Sequence, residues 1–158
     1  MPVMRQAVEQ AIGLAQHEGV SLLVTDANLE VNVVGDRDQL LQVLGNLISN
    51  AIKFSPREDE VLLSAVPHGP SVRISVTDHG AGIPDAFKPH IFEKFSQADA
   101  SPARRHEGTG LGLHISKLIV ERHGGEIGFE TAEAGGSTFY FDLPAPISSA
   151  EPGQLAAE

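Results

Sequence analysis

A chain of 158 residues, 41% of them hydrophobic, has the size of one domain and enough apolar side chains to bury a core. Its 21 acidic against 11 basic residues give a formal charge of −10, which argues against general nucleic-acid binding because that needs a positive surface. The chain has no cysteine, which excludes disulfides, thiolate catalysis and cysteine-based zinc sites. No apolar run approaches the ~20 residues of a membrane span. Glu9 and glutamines stand where a signal peptide would be apolar, so a cytoplasmic protein or excised domain without direct membrane contact is expected.

Residues 3–18 place Val8, Ala11, Ile12 and Ala15 at helical spacing and stop near Gly19. VSLLVTD (20–26) and EVNVVGD (30–36) read as two strands of a hairpin, and Asp36 is placed to N-cap the next helix. Over 37–54, Leu40, Val43, Leu44, Leu47, Ile48 and Ala51 keep an amphipathic period. EVLLSAV (60–66) and SVRISVTD (71–78) form a second hairpin around His68-Gly69-Pro70. DHGAGIP (78–84) is a turn, with a short helix to about Phe92. Residues 95–108 are small and polar without hydrophobic period and read as a long loop. A helix over 111–125 stops at a glycine pair, and strands follow at 126–131 and 137–143. The tail from 145 to 158 has the composition of a disordered segment. Helices alternate with hairpins, so a helix layer on one face of a mixed sheet is expected.

Three constellations carry chemistry. Asparagine is a poor interior helix former, yet NLISNAIKF (46–54) holds two of them. Asn46, Asn50 and Lys53 fall within about 60° on a helical wheel, beside the apolar face. They form either a solvated helix edge or a row lining a cleft, where an asparagine oxygen suits Mg²⁺ and a lysine suits phosphate. Asp78 ends a strand and precedes Gly80 and Gly82. A carboxylate there can accept from an exocyclic amine, and the glycines permit positive φ and close ligand approach. GTGLGL (108–113) alternates glycines where a helix begins, which is either a helix cap or a phosphate site. It is neither a Walker A loop nor a dinucleotide fingerprint. The seven histidines show no zinc spacing.

Taken in order, NLISNAIKFS, DHGAGIP, IFEKFSQAD, GTGLGL and GGSTFYFDLP resemble the catalytic ATP-binding domain of sensor histidine kinases. That domain belongs to the superfamily of gyrase-type topoisomerases, heat-shock chaperones and mismatch-repair ATPases. The resemblance runs from about residue 20 to 144 and implies a two-layer α/β sandwich of the Bergerat type. In it a mixed, mostly antiparallel sheet is covered on one face by three helices.

By position it implies that Asn50 coordinates Mg²⁺ and that Asn46 lies beside it near the phosphates of ATP. Lys53 contacts phosphate, and Asp78 accepts from the adenine amine in a pocket shaped by Gly80 and Gly82. Phe92 and Phe95 anchor the start of a lid. Gly108, Thr109, Gly110, Leu111, Gly112 and Leu113 close on the phosphates, and Thr138 places a hydroxyl near the adenine. Arg104 reaches the γ-phosphate from the lid. His106 and Glu107 depart from the family pattern, which commonly has an aromatic and a glycine there.

The phosphoacceptor motif of such kinases occurs nowhere in the sequence. The resemblance therefore implies a catalytic half, residues 19–144, with 1–18 the end of a linker helix from a dimerisation and phosphoacceptor domain. The expected partners are that domain and a response-regulator receiver domain, and the isolated domain is expected to be monomeric. The ATPases of the superfamily carry glutamate at the position of Asn46. Asparagine cannot take a proton at neutral pH, which favours transfer to a histidine over hydrolysis. A serine kinase of the anti-sigma-factor type and a non-catalytic nucleotide-sensing module are the alternatives on the same fold.

Overall fold

The computed structural model describes residues 2–27, 33–93, 112–132 and 135–146. Three helices, α1 (Pro2–Glu18), α2 (Arg37–Phe54) and α3 (Gly112–Arg122), accompany five strands. The strands are β1 (Ser21–Ala27), β2 (Glu60–His68), β3 (Ser71–Asp78), β4 (Glu126–Thr131) and β5 (Ser137–Pro144). They form one sheet in the order β1-β2-β3-β5-β4. β1 runs parallel to β2, and the β2–β3, β3–β5 and β4–β5 pairs are antiparallel. The sheet is mixed, as the alternation of helices and hairpins predicts, and mostly antiparallel, as the resemblance implies.

Helix α2 forms where its local signals place it. Oδ1 of Asp36 accepts the Gln39 N–H at 3.1 Å, satisfying one of the free amides of the first turn. Asp38 in the first turn and Lys53 in the last oppose the helix dipole. At the far end the Ser55 hydroxyl and amide both donate to the Ala51 carbonyl. Leu40, Val43, Leu44, Leu47, Ile48, Ala51 and Ile52 are buried, so one stripe carries the adhesion. Truncating Leu44 to alanine costs about 2–5 kcal/mol. The stripe packs on the sheet face built from Val61, Leu63, Ile74, Val76, Phe141 and Leu143, all in one core.

The opposite face of the sheet is polar across β3 and β5. Arg73 meets Asp142 through two parallel hydrogen bonds of 2.8 Å, with its guanidinium 4.0 Å over the Tyr140 ring. This fork places a charge-paired clasp across β3 and β5 on the side away from the helices.

Three expectations need correction. β1 does not pair with a strand over 30–36. Its partner is β2, in parallel, and residues 33–36 are not strand, while 30–32 lie outside the described residues. A parallel pair needs a crossover, and α2 supplies it. On α1 the buried positions are Val3, Met4, Ala7 and Ala15, and Ile12 is exposed. The expected stripe holds at Ala15 and at Val8 and Ala11, which are packed against the core, and misses at Ile12; the helix packs into the same core as α2. The short helix before Phe92 is a single 3-10 turn, Lys88–His90. Of the expected disordered tail, Ala145 and Pro146 are described, and the Ala145 N–H donates to the Pro70 carbonyl.

Candidate functional site

Asp78 ends β3 on the helix-facing side and stands opposite Ser137 of β5 in register. It is only 5% exposed, and Oδ1 accepts the Gly80 N–H at 2.8 Å. Burial pushes its carboxyl above the ordinary aspartate range, opposed by hydrogen bonds from the Gly80 and Ser137 backbone and by His79. A desolvated carboxylate with acceptor capacity to spare suits a neutral hydrogen-bond donor such as an exocyclic amine.

The turn after Asp78 is pressed onto the end of α2. A Cβ at Gly80 would collide with the Phe54 carbonyl oxygen, so only glycine lets the chain pass. Gly82 has φ 87°, a left-handed backbone that favours glycine. His79 staples the turn from the other side. Its Nδ1 lies 3.0 Å from the Glu60 carbonyl and 3.3 Å from Oδ1 of Asp59, at the start of β2.

Asn46, Asn50 and Lys53 are half-buried along one edge of α2, beside its buried stripe. Asn46 Nδ2 donates to the Gly112 carbonyl at 3.1 Å and to the Ser116 hydroxyl at 3.2 Å, tying α2 to the first turn of α3. The site thus follows α2. Its C-terminal end meets the Asp78–Gly80 turn, and Asn46 meets α3, about 12 Å along the helix axis from Phe54. Leu113 is half-buried and packs against the core. No group of three histidine, aspartate or glutamate side chains that could hold a metal occurs among the described residues. A cation at Asn50 would therefore take further oxygens from a ligand such as a phosphate.

The Phe92 ring sits 6.1 Å from Phe129 and 6.4 Å from Phe139, which stack at 5.8 Å. His114 Nδ1 is 3.2 Å from the Phe92 carbonyl. Phe92 is held by these contacts at the last described residues before 94–111. Phe95, Arg104, His106, Glu107, Gly108, Thr109, Gly110 and Leu111 lie outside the described residues.

Thr138 is not where the resemblance implies. Its hydroxyl meets that of Thr77 at 2.9 Å; Thr77 alternates with the buried Val76 and Asp78 on β3, and Thr138 pairs with it in register. Thr138 therefore faces the polar side of the sheet, away from Asp78. The hydroxyl on the Asp78 side is that of Ser137, buried and in register with it. A sequence signal existed: Phe139, Phe141 and Leu143 set the phase of the apolar face, and Ser137 shares it. Ser116 was missed too. It is a fully buried polar residue in the stripe of α3 that also carries Ile119 and Val120.

Residues 35–147 match the family model described as histidine kinase-, DNA gyrase B-, and HSP90-like ATPase. The sensor histidine kinase GacS of Pseudomonas protegens is 45% identical over 136 residues, covering 83% of this chain and 14% of GacS. The chain thus spans a small part of that relative. The mycobacterial sensor histidine kinase MprB superposes with a TM-score of 0.80 at 30% identity, over 91% of this chain and 94% of that one. Full-length ShkA in complex with AMPPNP gives 0.79 at 30% identity, over 94% of this chain and 30% of that one. The family match covers most of the described fold, and the relatives that share it are sensor kinases: the chain belongs to the histidine kinase-, DNA gyrase B- and HSP90-like ATPase family.

Proposed function

We propose that this chain is the catalytic ATP-binding domain of a sensor histidine kinase, transferring the γ-phosphate of ATP to a histidine on a dimerisation and phosphoacceptor domain outside it. A response-regulator receiver domain takes the phosphate onward. The observation that carries the reading is Asp78, a buried carboxylate at a strand end, with the Asn46–Asn50–Lys53 edge running from its turn toward α3.

The residues fit the ligand. Asp78 accepts the adenine amine, with the Ser137 hydroxyl beside it. The Asp78–Gly80 turn brings backbone close to the ring, and Lys53 meets phosphate. Asn50 holds Mg²⁺, which supplies neutralisation of the charge on the transferring phosphate. Asn46 offers no base to activate water, so the acceptor must bring its own nucleophile. Arg104 supplies positive charge at the γ-phosphate. An ATP-using domain of this kind works on the cytoplasmic side, and no described helix is long and apolar enough to cross a membrane.

The test is incubation with γ-labelled ATP and a separately produced phosphoacceptor domain. Acid-labile label should appear on the acceptor and not on this chain, and Asp78→Asn should abolish it. Acid-stable label on a serine, or rapid hydrolysis without transfer, would overturn the reading.

A further inference from the structure

The Asn46 carboxamide is held in one orientation. A carbonyl oxygen carries no proton, so only the NH2 group can face the Gly112 carbonyl at 3.1 Å. The second amide hydrogen goes to the Ser116 hydroxyl at 3.2 Å. Ser116 is 0% exposed, on the first turns of α3, where water cannot replace it. Both donors of Asn46 are therefore consumed inside the protein, and Oδ1 is the atom with lone pairs to offer. An amide nitrogen in a cleft would serve phosphate oxygens, whereas an amide oxygen serves a cation or the water bound to it.

We propose that Ser116 is a positioning residue for the phosphate end of the site: with the Gly112 carbonyl it fixes the Asn46 amide so that the side chain acts as an acceptor toward Mg²⁺ or its water. This deepens the reading of the cleft as a Mg-ATP site and rests on it. Ser116 itself touches no ligand. It acts across the α2–α3 contact, through the orientation of one amide.

The experiment uses the whole chain with Ser116→Ala, and Ser116→Cys, which keeps the volume with a weaker acceptor. Calorimetry measures ATP affinity with and without Mg²⁺, and NMR follows the Asn46 side-chain amide. Ser116→Ala should shift the Asn46 amide resonances and lower the gain in affinity that Mg²⁺ brings by about tenfold, with metal-free ATP affinity unchanged. Ser116→Cys should fall between. In an Asn46→Ala background the Ser116→Ala change should have no further effect on the Mg²⁺ gain. A merely structural role would lower both affinities together. An unchanged Mg²⁺ gain in Ser116→Ala, or an undiminished effect in the Asn46→Ala background, overturns the proposal while ATP binding stands. Absence of ATP binding by the unaltered chain overturns the functional reading and the proposal with it.

Discussion

His123, at the end of α3, accepts the backbone N–H of Asp36 on Nε2 over 3.0 Å. Its Nδ1 lies 2.8 Å from the Ile119 carbonyl, which can only accept, so the Nδ1–H tautomer satisfies both bonds and the ring bridges the two elements. The bridge holds the residue that caps α2, and α2 carries the Asn46–Lys53 edge. His123→Ala should lower unfolding stability by about 1–2 kcal/mol, read as a shift in urea midpoint. Nucleotide affinity should fall less. A variant as stable as the parent would show that the bridge contributes nothing.

The Asp78 carboxyl is raised above its ordinary value by burial, so the folded chain holds that proton more tightly than the unfolded chain. Its stabilising contribution is fully present below the unfolded value and is lost as pH rises through the raised folded value. With Asp78 in its proposed role as acceptor of the adenine amine, ATP affinity follows the opposite sign. Unliganded stability from this group should therefore fall with rising pH across that window while ATP affinity rises. Denaturant titrations and calorimetry over the same pH series check both, and Asp78→Asn should flatten the two slopes.

The two hydroxyls at the start of β5 have separate duties. Ser137→Ala should weaken ATP binding by up to about tenfold, the loss of one hydrogen bond. Thr138→Val removes the bond to Thr77 on the other face. It should cost about 1 kcal/mol of stability and leave ATP affinity alone. Reversed effects would place the ligand on the polar face of the sheet.

Gly80→Ala drives a methyl group into the Phe54 carbonyl oxygen, which is backbone and cannot swing aside. The variant should lose about 1–3 kcal/mol of stability as the turn and the end of α2 separate. Because the same turn carries Asp78, ATP affinity should fall with it. Thermal denaturation with and without ATP separates the two losses.

Much of this fold was legible because its signals are local. The Asp36 cap and the period from Leu40 to Ala51 set the limits of α2, and alternation through Val72, Ile74 and Val76 set β3. The parallel β1–β2 pair was hidden, since nothing within 20–36 reports a partner beyond a helix. Ile12 misled because an apolar residue on a helix need not face inward. Within the site, Asp78 and the Asn46–Lys53 edge were readable from residue type and spacing. Thr138 was misplaced by reading a motif without the phase of its strand. Ser116 could not be found from pattern alone, because its importance lies in a contact made across two helices.

The pairing that sets Ser137 opposite Asp78 joins strands separated in sequence by the 3-10 turn, α3 and β4. The β2–β3 hairpin closes through Gly69-Pro70, a short loop with little entropy to lose. The Asp78 end of the site, by contrast, needs a long-range closure between β3 and β5, and contacts of that kind form slowly. The wall beside Asp78 thus depends on a pairing between distant stretches of chain, which the β2–β3 hairpin does not need.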